Sequence, residues 1–144
     1  MARAFSLQAV LRLRQHKEDA EERALAALGT QQQQVEATLA RVHHELRLWT
    51  EDRTREIGHT GTGTTQHTSY ARRTLLQDAQ TQLDQQLKTI EEQRRKQQAA
   101  YLAARSAREM LTELQQQQHA AHEAIEQRRE QRRLEDLFLG QWSR

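Results

Sequence analysis

From Leu25 onward, seam positions alternate in steps of three and four through Leu25, Leu28, Gln32, Val35, Leu39, Val42, Leu46 and Trp49. Only Gln32 is polar among them. This spacing returns side chains to one narrow face of a helix, the a/d seam of a coiled coil, not the broader stripe of a globular helix. Nearer the start, Phe5, Leu7, Val10, Leu11 and Leu13 cover a wider arc. The second half keeps a seven-residue step through Leu76, Leu83, Ile90, Gln97, Ala104, Leu111, Gln118 and Ile125. Ala79, Leu87, Tyr101, Ala107, Leu114 and Ala121 fill the intermediate layers. A strict heptad drifts around a straight helix, so it predicts left-handed supercoiling.

Between the halves lies Ile57-Gly58-His59-Thr60-Gly61-Thr62-Gly63-Thr64-Thr65, where the glycines cluster. Glycine ends a helix at low steric cost, and a Thr or Ser at 64, 65, 68 or 69 offers a cap for the next one. The pattern predicts an all-α fold, a long antiparallel two-helix coiled-coil hairpin. Its parts are a first helix over 5–57, a turn over 58–68, a second helix over 69–138 and a tail over 139–144. At about 1.5 Å per residue the arms would run about 80 and 105 Å, so the second helix overhangs the first. Folding about the loop centre sets Trp49 against Leu76 or Gln77, and Val42 against Leu83. It leaves roughly the last 20 residues, with Leu134, Leu137, Phe138, Leu139 and Trp142, in need of something to bury against.

Composition reinforces this picture. Of 144 residues only 35% are hydrophobic and 4% aromatic, too few for a broad core but enough for a seam. Proline is absent, so no ring interrupts the helical hydrogen-bond ladder. Cysteine is also absent, which removes disulfides, thiolate metal sites and cysteine catalysis. No apolar run approaches the length that spans a bilayer and the first residues lack a signal-peptide stretch, so a cytoplasmic protein without direct membrane insertion is expected. Gln32, Gln97 and Gln118 occupy seam positions, as do Arg14, Glu18 and Glu21 if the register continues; such residues lower stability but fix register.

The candidate chemistry is sparse. Thr60-Gly61-Thr62-Gly63-Thr64 has neither a preceding strand nor a following Gly-Lys-Ser/Thr, so it reads as a flexible turn and not a phosphate loop. His119 and His122 share a helical face but lack the His-Glu-x-x-His order of zinc proteases, and no metal or other cofactor is expected. Glutamates interleaved with Arg94, Arg95 and Lys96, and with Arg128, Arg129, Arg132 and Arg133, make i to i+4 pairs on a solvated face. The net charge is only +2 and no aromatic platform accompanies the arginines, which favours an acidic protein surface over nucleic acid. No acid–base constellation suggests an enzyme.

The opening Phe5-Ser6-Leu7-Gln8-Ala9-Val10-Leu11-Arg12-Leu13-Arg14, followed by Glu18, Glu21 and Glu22, resembles the start of the flagellar export protein FliJ family. Arg128-Arg129-Glu130-Gln131-Arg132-Arg133-Leu134-Glu135-Asp136-Leu137 is a second echo, and the length and two-arm layout agree. The resemblance implies a noncatalytic stalk of the type III export apparatus, held peripherally at the inner membrane. It also implies partners: the flagellar export ATPase hexamer, the cytoplasmic domain of the export-gate protein FlhA, and export chaperones. By the family's pattern the open end contacts the ATPase ring, which nominates Leu7, Leu11, Arg12, Arg14, Arg128, Arg129, Arg132 and Arg133. The gate-contact stretch falls on Tyr70, Leu75, Leu76, Ala79 and Leu83, although Arg72 and Arg73 stand where the family is more apolar. Seam packing is an equal reading for Leu76, Ala79 and Leu83, whereas Leu75 lies off the seam. Two alternatives stay open: the stalk of a virulence type III secretion system, and a general coiled-coil adaptor that dimerises.

Overall fold

The computed structural model describes residues 6–56 and 63–142. They form an all-α helical hairpin of two helices, α1 (Gln8–Glu56) and α2 (Gly63–Trp142), and no strand occurs among the described residues. With no proline and few glycines, nothing in the sequence interrupts the 80-residue α2. α2 begins inside the stretch expected to be the turn, and it runs on through four positions expected to be tail. Thr64, Thr65, Thr68 and Ser69 therefore lie within the helix and do not precede it as caps. The rest of the expected turn lies outside the described residues.

The hairpin divides into two compact units, each with its own internal packing. The first is Glu22–Ala100. Its α1 seam, Leu25, Leu28, Gln32, Val35, Leu39, Val42, Leu46 and Trp49, is half-buried throughout. Leu76, Ala79, Leu83, Leu87 and Gln97 of α2 are half-buried as well, and Ile90 is buried. Polar bonds join the two helices in antiparallel order. Arg94 Nη1 donates to Gln32 Oε1 at 2.7 Å, on the register read from sequence. Gln80 and His43 meet at 3.1 Å, and Trp49 bonds Ser69. Trp49 thus reaches several residues nearer the turn than the expected Leu76 or Gln77. α2 starts at Gly63, inside the expected turn, and Ser69 offers the indole N–H a side-chain hydroxyl that Leu76 lacks.

In the second unit, whose described residues are 6–21 and 101–142, the seam is thinner. Leu11 and Ala104 are buried, at 4% and 5% exposure, and no side chain in the described core is completely enclosed. Leu7, Glu18 and Glu21 of the N-terminal arm are half-buried, as are Tyr101, Ala107, Arg108, Leu111 and Gln115 of α2. Gln115 Nε2 donates to Gln8 Oε1 at 3.1 Å. From Gln116 to Trp142 every side chain is exposed except half-buried His122. Gln118, Ala121 and Ile125 hold seam positions yet are exposed.

Candidate partner-binding surfaces

In the first unit, the turn-proximal ends of the helices carry an alternating stack of arginines and aromatic rings. Trp49 Nε1 donates to the Ser69 carbonyl at 3.0 Å and to its hydroxyl at 2.7 Å. The Arg53 guanidinium lies 4.2 Å from the Tyr70 ring centre and 5.3 Å from that of Trp49, and Arg73 covers the indole at 4.8 Å. Trp49 and Tyr70 themselves meet at a tilt, centroids 6.3 Å apart, and Arg53 also donates to the Tyr70 hydroxyl. Rings whose faces hold cations gain attraction beyond their buried area. The stack therefore fixes the start of α2 against the end of α1. Arg73 has a use here that spacing could not disclose.

The stack also decides what remains on the surface. Of the five residues carried over for the gate, Leu76, Ala79 and Leu83 are half-buried in the seam. Tyr70 and Leu75 are the exposed pair, at 45% and 70%. Thr74 returns its hydroxyl to the Tyr70 carbonyl at 3.1 Å and lies between them in sequence.

The second unit sorts the residues carried over for the ATPase ring in the same way. Leu11 is buried, so its side chain is occupied by packing within the hairpin and is not free for a partner. Leu7 is half-buried, while Arg12, Arg14, Arg128, Arg129, Arg132 and Arg133 are exposed. These arginines do not form one patch. Gln8 is level with Gln115, and Arg128 stands 13 residues farther along α2, about 20 Å at the helical rise. The N-terminal pair flanks the two-helix part of the unit, and the other four band the overhang.

One interhelical ion pair escaped the sequence reading. Arg108 donates to Glu18 through Nε at 2.7 Å and Nη2 at 3.2 Å, a two-pronged bridge between the helices. Its hydrogen bonds hold the Glu18 carboxyl below its ordinary value against the opposing effect of partial burial, and the Arg108 pKa is raised by the same bonds. A neighbouring Arg105–Glu109 bridge of 2.9 Å lies on the α2 surface. The signal was present: the register that pairs Gln32 with Arg94 also sets Glu18 opposite Arg108.

His119 and His122 each face a glutamate one turn on, at 3.7 and 3.1 Å, and among the described residues no group of three ligating side chains is placed to hold a metal ion. No helix among the described residues is long and apolar enough to cross a membrane.

The family profile described as "Flagellar FliJ protein" matches residues 3–144. No match was found among curated proteins or among solved structures. An almost end-to-end family match on a two-helix hairpin with the expected terminal motifs makes the chain a member of the FliJ family, structural proteins of flagellar export.

Proposed function

We propose that the chain is the noncatalytic stalk of the flagellar type III export apparatus, working in the cytoplasm at the inner membrane. The overhang and the N-terminal arm engage the hexameric export ATPase, promote assembly of its ring, and couple it to the export gate. The observation that carries this reading is the exposed α2 overhang with four arginines in two turns, Arg128, Arg129, Arg132 and Arg133. A single helix with side chains is about 10 to 12 Å wide, which suits the lumen of a ring. Clustered guanidinium groups steer such a helix towards acidic walls and can bind carboxylates through two bonds each. Tyr70 and Leu75, exposed beside a rigid stack, give the cytoplasmic domain of FlhA an aromatic and an aliphatic anchor. The same surfaces suit export chaperones handed between ATPase and gate.

The test uses the full chain and its cognate ATPase. A photo-crosslinker on cysteine at Arg12 or Arg132 is expected to capture the ATPase, and one at Arg72 is not. Failure of both open-end probes to capture it, with ATP hydrolysis unchanged on adding the chain, would overturn the proposal.

A further inference from the structure

The overhang keeps a coiled-coil pattern that α1 does not satisfy. Continuing the seven-residue steps of α2 past Ile125 reaches Arg132 and Leu139, and the intermediate layer continues from Ala121 to Arg128, Glu135 and Trp142. The apolar members of this extended seam are exposed, Ile125 at 48%, Leu139 at 64% and Trp142 at 77%. Its charged members are of both signs.

We infer that the overhang pairs antiparallel with the overhang of a second copy of this chain, about a two-fold axis between Arg133 and Leu134. In that register each Ile125 meets the other copy's Trp142, each Arg132 meets Glu135, and each Leu139 packs on the aliphatic stem of Arg128. On the flank Arg129 stands against Asp136. Every charged contact in the pairing is therefore opposite in sign, and each occurs twice by symmetry. The competing arrangements lack this match. A parallel pair sets Arg128, Arg132 and Glu135 each against its own copy, and a slip of one heptad in one direction places Arg132 on Arg128, so like charges select against both. A slip in the other direction sets Arg132 on Trp142 and Glu135 on Leu139 and loses the ion pairs. The charge balance of the overhang points the same way. Glu123, Glu126, Glu130, Glu135 and Asp136 outnumber the four arginines by one, so two copies of the overhang meet without a large net repulsion.

The paired state repeats a device already present within the chain, where a seam of apolar layers is fixed in register by Arg108 and Glu18. It also covers Arg128 and Arg132, so a chain paired in this way cannot offer them to another partner. Self-pairing and any binding through the overhang exclude each other.

Because the chain has no cysteine, single cysteines report the pairing cleanly. Mixing the full-length Leu139→Cys and Arg128→Cys variants under mild oxidation is expected to give mainly the mixed disulfide dimer. Sedimentation equilibrium of the cysteine-free chain should show a reversible monomer–dimer equilibrium. Arg132→Glu or Glu135→Arg alone should weaken it about tenfold or more, and the double exchange should restore it, with helix content by circular dichroism unchanged. A monomer at every concentration, a Leu139→Cys protein that crosslinks chiefly to itself, or a double exchange that stays monomeric would each overturn the inference. None of these outcomes bears on ATPase binding, which is read separately.

Discussion

The two units share one heptad pattern and are held together by different means. In Glu22–Ala100 the seam is mostly leucine, valine and isoleucine, and it ends in an aromatic stack anchored by two hydrogen bonds from one indole. In the other unit Leu11 and Ala104 are buried, Leu7, Tyr101 and Leu111 are half-buried, and a two-pronged Arg–Glu bridge supplies the register. Large apolar layers stabilise a pairing but tolerate slippage by a heptad, whereas a charged pair specifies one alignment and contributes less. The first unit carries the longer run of apolar layers, and the second carries the charged pair and the longer exposed surface.

The largest expected effect comes from removing the buried side chain on which each unit depends. Leu11→Ala and Ile90→Ala should each cost about 2 to 3 kcal/mol in chemical denaturation, at the low end for core leucines and isoleucines because a two-helix seam lets water reach the gap. Hydrogen exchange separates them: Leu11→Ala should deprotect residues 8–21 and leave 25–49 protected, and Ile90→Ala should do the reverse. Loss of protection throughout in both variants would show that the units do not differ.

Trp49→Phe comes next. It keeps a ring for Arg53 and Arg73 but loses the bonds to Ser69, so about 1 kcal/mol and faster exchange near residues 46–55 are expected. A variant as protected as the parent would mean that ring stacking alone fixes this end.

The Glu18–Arg108 bridge should matter less than Leu11, because both side chains keep solvent contact. Its signature is pH dependence. Since the folded carboxyl lies below its ordinary value of 4.5, the bridge contributes fully above that value and is lost as pH falls through the folded pKa. Acid unfolding of the parent, followed by a probe in residues 8–21, should contain a step there that Glu18→Gln removes. The exchange Glu18→Arg with Arg108→Glu should restore what either change alone loses.

The sequence's legibility follows the same division. From Leu25 to Trp49 long apolar residues at three-four spacing left little freedom, and those side chains are half-buried as a set. The same spacing at Gln118, Ala121 and Ile125 named a face but not whether α1 reaches it, because periodicity carries no information about the length of the facing helix. Glycine and threonine marked a turn without counting its residues, so the Trp49–Ser69 bond, which depends on where α2 starts, was hidden. Leu11 beside Arg12 and Arg14 read as part of a partner surface. Only the packing shows that its side chain is occupied within the hairpin.

The smallest expected effect is a gain. Gly29 sits inside α1, and a Cβ added there meets nothing within 4 Å. Gly29→Ala should therefore stabilise the first unit by about 0.5 to 1 kcal/mol without altering exchange in the second. An unchanged or lower midpoint would show strain that the open space around Gly29 does not suggest.

The central claim, that the arginine-bearing overhang and not the stacked unit acts on the ATPase, is tested most directly by ATP hydrolysis titrated with three proteins. These are the parent chain, a variant with Arg128, Arg129, Arg132 and Arg133 changed to Glu, and a variant with Arg72 and Arg73 changed to Glu. The parent and the Arg72/Arg73 variant should raise hydrolysis alike, and the overhang variant should not. Activation that survives reversal of the overhang but is lost with Arg72 and Arg73 would contradict the account.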